Sequence, residues 1–214
     1  MATIHLIEGP VGAGKSTYAA QLAMAISAPR LNLDEWMVVL FRCDRPETNF
    51  MPWYAERKER CLEQIWRVTC ELLDANIDVI LALGLVQLAA REDFYRRVDA
   101  AGYTLKVYLI NAAKETRRQR VLERNHQQGA TFQMHVSDEI FQIANAAWQQ
   151  PDERECRERR IEIVSSSAKP GTQGGQPRLG PRPSPRAREH LLRENAFDRG
   201  TGHARKCTDP FAID

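Results

Sequence analysis

No stretch of this sequence is apolar for long enough to cross a bilayer. The longest uninterrupted runs, such as Val79–Leu83, fall far short of the ~20 residues that a spanning helix needs. Cysteine is sparse and odd in number, at Cys43, Cys61, Cys70, Cys156 and Cys207, with no CxxC pair. Neither a disulfide framework nor a zinc ribbon is expected from that spacing. The five histidines are scattered and form no HxxxH or HExxH string, so they suggest no metal site. The opening MATIHLIEGP has no basic start before an apolar stretch. A secretory leader is therefore not expected, and the cytoplasm is the default compartment. Charge of one sign is also missing: 30 Lys+Arg face 28 Asp+Glu over 214 residues, a net of +2.

Apolar residues run out near Ser165. Residues 165–214 hold 6 of the 11 prolines and 6 of the 12 glycines, and 12 of these 50 residues are hydrophobic. Such a segment cannot bury enough apolar area to offset its ordering entropy. The sequence thus divides into a folded part, 1–164, and a Pro/Gly/Arg-rich tail, 165–214, expected to be disordered apart from a short helix around 187–197. The tail carries 9 Lys+Arg against 5 Asp+Glu, which leaves the first 164 residues at a net of −2. The basic character belongs to the tail, and extensive nucleic-acid contact is not expected of the folded part.

Within 1–164, strand and helix signals alternate. A buried strand is expected at Thr3–Ile7, and further strands at Ala28–Leu33, Val79–Leu83, Thr104–Ile110 and Arg160–Val164. Helices are expected at Lys15–Ala25, Tyr54–Asn76, Gln87–Ala101, Ala113–Gln128 and Val136–Trp148. The clearest is Tyr54–Asn76, whose Leu62, Ile65, Trp66, Thr69, Leu72 and Leu73 fall on one face of a 3.6-residue period. Five apolar strands separated by helices predict crossover units and a parallel sheet covered on both faces, an α/β fold.

The strongest motif is Gly9-Pro10-Val11-Gly12-Ala13-Gly14-Lys15-Ser16, a full G-x-x-x-x-G-K-[ST] match between a buried strand and a helix. Glycines let the backbone wind tightly, so that successive N–H groups, Ala13's included, form an anion nest at a helix N-terminus. Lys15 is expected at the β- and γ-phosphates, the Ser16 hydroxyl on Mg²⁺, and Thr17 at the α-phosphate. The loop does not name a reaction, since GTPases, motor ATPases and small kinases share it. No NKxD string marks guanine specificity, and the size suits a compact kinase.

Leu31-Asn32-Leu33-Asp34-Glu35-Trp36 follows the second strand. Neighbouring parallel strands end on one edge, so Asp34 is expected near the γ-phosphate, where a carboxylate can take the proton of an attacking hydroxyl. Glu35 is the neighbouring candidate. The alternative is that Asp34 caps a helix starting at Glu35.

With GPVGAGKST, LDEWM, the glycine after the third strand, ETRRQRVLERN and AAWQQPDERE, the chain resembles the small P-loop kinases grouped with zeta-toxin, chloramphenicol phosphotransferase and polynucleotide kinase. It is most similar to the bacterial AAA-type ATP-binding proteins of that group, over about residues 4–164. The resemblance implies a P-loop NTPase fold with an adenylate-kinase-like five-stranded parallel sheet flanked by helices. It also implies ATP and Mg²⁺ as cofactors, and phosphoryl transfer to a hydroxyl with Asp34 at the position of the base. One departure is Ala82, where such kinases often carry an aspartate two residues before the glycine, here Gly84.

Arg117, Arg120 and Arg124 lie at i, i+3 and i+7 and share one helix face. A permanently charged guanidinium neutralises the charge that phosphoryl transfer spreads over the equatorial oxygens. Arg120 is the first choice for that role, with Arg117 and Arg124 as further nucleotide contacts; a solvated face paired with Glu115 and Glu123 is the plainer reading. Arg91 is either an acceptor contact or a surface residue. Trp36, Phe41, Trp53 and Tyr54 either line an acceptor pocket or pack in the core. The expected partners are ATP and a small-molecule acceptor. Competing functions are a nucleotide-dependent binding protein or weak ATPase, which Ala82 favours, and a polynucleotide kinase.

Overall fold

The computed structural model describes residues 1–127 and 135–165. The tail beyond Ser165, with its expected helix at 187–197, lies outside the described residues. In chain order the elements are β1 (Thr3–Glu8), α1 (Lys15–Ile26), β2 (Arg30–Asn32), α2 (Leu33–Phe41), a 3-10 turn (Arg42–Asp44), α3 (Phe50–Asp74), β3 (Val79–Ala82), α4 (Leu88–Ala100), β4 (Thr104–Asn111), α5 (Lys114–Gln127), α6 (Asp138–Ala147), α7 (Glu153–Glu158) and β5 (Glu162–Ser165).

The five strands form one parallel sheet in the order β2-β3-β1-β4-β5. β1 is central, and all six of its residues are buried, as a strand covered on both faces requires. Its alternate side chains serve opposite layers. Ile4 and Leu6 join Val79, Leu81 and Leu83 in a core built against Leu33, Met37, Ile65 and Tyr95 of α2, α3 and α4. Ile7, Ile80, Tyr108 and Ile110 face the other way, against Tyr18, Ala19 and Leu22 of α1. The carboxyl ends of β1, β2 and β3 therefore share one edge, where doubly wound sheets bind ligands.

The periodic stripe of α3 is its buried face. Cys61, Ile65, Thr69 and Leu73 are buried, with Leu62, Trp66 and Leu72 packed against the same core. The Thr69 hydroxyl donates to the Ile65 carbonyl at 2.8 Å, so its burial leaves no polar group unpaired. The helix begins at Phe50, four residues before the expected start, and includes Pro52. Proline is tolerated in a first turn because its missing N–H has no intrahelical partner there.

The connection from β3 to α4 is anchored by an ion pair that spans 64 residues. Arg91 of α4, fully buried, donates from Nε and one terminal nitrogen to the two oxygens of Glu155 on α7, at 2.6 and 2.8 Å. Tyr95 donates to the same carboxylate at 3.1 Å, and the second terminal nitrogen of Arg91 reaches the Leu85 carbonyl at 3.4 Å. Arg91 is thus neither a surface residue nor an acceptor contact. Glu155→Ala is expected to lower stability by about 3–5 kcal/mol, because it strands a buried guanidinium. Replacing both partners by methionine should cost far less, and urea unfolding of the two variants compares them.

Candidate functional site

The turn between β1 and α1 is built around backbone that side chains would obstruct. Gly9 has φ +148 and Gly12 φ +75, and a Cβ on either would stand 2.5 Å from a carbonyl oxygen, of Ile110 and Arg117 respectively. Gly14, at φ +103, is the N-cap of α1, with no side-chain cap and no acidic residue in the first turn. By contrast α2, α6 and α7 are capped by Asn32, Ser137 and Asp152 and open with carboxylates. Among the described residues no side chain caps the first amides of α1, which is what an anion needs. Gly12→Ala is expected to cost roughly 1–3 kcal/mol from the backbone conformation alone. The collision with Arg117 adds to this, and a thermal melt reads the sum.

Lys15 curls over this loop and donates to the Gly9 and Pro10 carbonyls at 2.7 and 2.9 Å. Burial pushes its pKa down, and the charges that oppose this are Asp34 and then Glu8, while Arg117 and Arg124 add to the depression. Asp34 and Lys15 thus lie within electrostatic reach across the β1–β2 edge. Asp34 is exposed in the first turn of α2. It is not the cap: the Asn32 side chain accepts from the Asp34 and Glu35 amides at 2.9 and 3.3 Å. Glu35 is taken by Arg30 at 2.7 Å. The Asp34 carboxylate therefore remains available to a ligand. Its charge also raises the pKa of Tyr54, after burial as the main cause.

Glu8 stands just outside the motif that begins at Gly9. It ends β1, is 1 % exposed, and neither carboxylate oxygen has a hydrogen-bond partner among the described residues. Burial raises its pKa to about 8 against the pull of Lys15 and Arg91 and a weak pull from the Leu85 amide, with Glu155 adding to the rise. An acidic residue closing an otherwise apolar strand was the visible signal.

Arg117, Arg120 and Arg124 of α5 part company. Arg117 is buried, and its donors are taken inside the protein. They go to the Ala112 carbonyl at 3.1 Å, the Val11 carbonyl at 3.0 Å and Asn145 of α6 at 2.7 Å. It clasps the phosphate loop from behind. Arg120 reaches the Ala13 carbonyl at 3.4 Å. Arg124 acts electrostatically on Lys15 and feels Asp34; its buried Nε has no partner among the described residues, and burial lowers its pKa. Of the three, Arg124 is the one whose charge the structure brings to Lys15 and Asp34 with donor capacity still unmet.

Beside Asp34, Trp36, Phe41 and Tyr54 pack against the core. The Phe50 ring lies tilted against those of Trp53 and Tyr54, and Trp53 and Phe41 meet in a T-shaped contact. Arg57 lies over the Trp53 ring at 4.7 Å. A separate depression of about 380 Å³ lies between α4 and α7, and its Arg154 and Arg159 are already paired with Glu158 and Asp99. None of the residues that line it belongs to the phosphate loop, so it is not the site described above.

A family model described as AAA domain matches residues 4–151. No curated protein matches the chain. Solved structures with this fold include a sugar kinase from Janibacter sp. HTCC2649, 12% identical, TM-score 0.52, over 78% of this chain and 87% of that one. Chaetomium thermophilum Kti12 in complex with ADP-AlF3 is 14% identical, TM-score 0.56, over 76% and 88%. Mycobacterium tuberculosis APS kinase CysC, with AMPPNP and APS, is 15% identical, TM-score 0.52, over 77% and 88%. These likenesses show the P-loop kinase-like fold.

Proposed function

The chain belongs to the AAA-domain family, and from that premise we propose that it binds ATP with Mg²⁺ and transfers the γ-phosphoryl group to a hydroxyl of a small molecule. The observation that carries this reading is an exposed Asp34 carboxylate, in the first turn of α2, whose charge acts on Lys15 at the phosphate loop. The loop amides and the uncapped start of α1 hold the phosphates. Lys15 turns from the Gly9 and Pro10 carbonyls to the β- and γ-phosphates, and Thr17 serves the α-phosphate. Asp34 orients the acceptor hydroxyl and takes its proton as the new O–P bond forms and the bond to ADP breaks. Arg124, with Arg120 beside it, neutralises the equatorial oxygens. Arg117 acts through the loop it holds.

The donor set fits a nucleotide-borne Mg²⁺. Such an ion keeps phosphate oxygens and several waters as ligands, so a single protein hydroxyl, that of Ser16, suffices without an acidic cage. No cluster of three or more His, Cys, Asp or Glu that would make such a cage occurs among the described residues. When bound, Mg²⁺ supplies charge neutralisation on the phosphates. Ala82, where a carboxylate is common in the resembling kinases, favours the second reading, a nucleotide-dependent binding protein with little transfer. A screen of pooled metabolites and oligonucleotides with labelled ATP tests the proposal. Label in a small molecule supports it, label in oligonucleotides redirects it to polynucleotides, and binding without label in any acceptor favours the second reading.

A further inference from the structure

The mechanism above leaves a buried and unpaired acid unused. Glu8 sits at the end of the central strand, immediately before the phosphate loop, with both oxygens unpartnered among the described residues. It does not take the place of the carboxylate missing at Ala82. The register pairs Leu6 with Leu81, so Ile7 lies beside Ala82, and strand alternation turns Glu8 to the opposite face, that of Ile4 and Leu6. The groups that act on it there are Lys15 of α1, Arg91 and Tyr95 of α4, and Glu155 of α7, with the Leu85 amide of the β3–α4 connection. Two of these charges are already committed, since Arg91 and Glu155 form a bidentate pair with each other. The hydrogen bonds that Lys15 makes go to the Gly9 and Pro10 carbonyls, not to Glu8.

We propose that Glu8 is a proton-carrying positioning residue of the nucleotide site: the polyphosphate is admitted with Glu8 in its neutral form, and the site takes up a proton at Glu8 whenever that residue starts out ionised. This rests on the nucleotide-binding reading above. The physical reason is local. An ionised Glu8 competes with the phosphates for the charge of Lys15, and once Lys15 swings to the anion its own charge is left with the already paired Arg91 and a weak pull from the Leu85 amide. A neutral Glu8 leaves the ammonium wholly to the ligand. The free group has a pKa of about 8, so the neutral form prevails near pH 7 and the ionised form at pH 9. The proton comes from solvent, and no other bond changes.

The test is calorimetric titration of the full chain with ATP at pH 9, in buffers of different ionisation enthalpy, with and without Mg²⁺. The wild type is expected to take up about one proton per nucleotide, and its affinity should fall by up to about tenfold per pH unit above pH 8. Glu8→Gln, which is neutral at every pH, should bind with no uptake and with a flat profile. Glu8→Leu serves as a second neutral variant should Gln fail to fold. Proton uptake that persists in both neutral variants would assign the linkage to Lys15 and overturn the proposal. Uptake that is seen without Mg²⁺ and vanishes with it would mean that Glu8 stays ionised when the metal is bound, and also overturns it. Binding without any uptake by the wild type overturns the role of Glu8 alone, whereas no binding even at pH 7 overturns the nucleotide reading and this inference together.

Discussion

Lys15→Ala is expected to yield a folded domain that retains ATP some 10²–10⁴-fold less tightly than the wild type, the worth of two charge-assisted hydrogen bonds to phosphate at about 1.5–3 kcal/mol each. The fold should survive. The ammonium is held over the loop by the Gly9 and Pro10 carbonyls, and its burial is opposed by solvation, as its lowered pKa indicates. Losing that group therefore removes a desolvation cost along with two hydrogen bonds. Equilibrium binding of a fluorescent ATP analogue, with a melting curve on the same sample, separates the two effects. Unchanged affinity in a folded variant would remove the phosphate loop from the site.

Asp34→Asn is expected to lower transfer to the acceptor by roughly 10²–10⁴, the usual worth of a positioned base. Nucleotide affinity should change little, because the loop amides, Lys15 and Ser16 are untouched. The local structure makes this variant unusually clean. Asn32 caps α2, so the substitution removes no cap, and Asp34 is exposed, so asparagine meets no packing constraint. A change in melting temperature is not expected. Weakened Mg²⁺-dependent ATP binding would instead assign Asp34 to the metal, in compensation for Ala82. Full turnover would remove Asp34 from the chemistry and leave the binding-protein reading.

The strands and the phosphate loop were legible because their signals are local. An unbroken apolar run bounded by glycine reads as a buried strand, and the loop is a contiguous string whose residue types follow from its backbone. The face of α3 was legible for the same reason, since one period extends over three turns. What could not be read is what depends on contacts between distant segments. Arg117, Arg120 and Arg124 share a helix face in the sequence, yet Arg117 bonds both to the loop and to α6, whereas Arg120 reaches the loop at the Ala13 carbonyl. Arg91 looked like any helical arginine until Glu155 arrived from α7. The six-residue α7 is too short to show a period. Asn32 went unread as a cap because the helix was expected to begin at Glu35, two residues after its observed start at Leu33. Local capping chemistry there competes with the strand signal across the same residues.

The Arg91–Glu155 pair also has a consequence in time. Synthesis runs from the N-terminus, so β1, β3, α4 and β4 exist before α7 does, and their layers can begin to close around an arginine whose partner has not been made. At 5–20 residues per second, the 64 residues between the two correspond to roughly 3–13 s. Throughout that interval the nascent chain must either keep the Arg91 segment open to water or bury a lone cation. The family match ends at residue 151, before Glu155. A polypeptide released at that boundary would hold every residue of the candidate nucleotide site and still be unable to complete its interior.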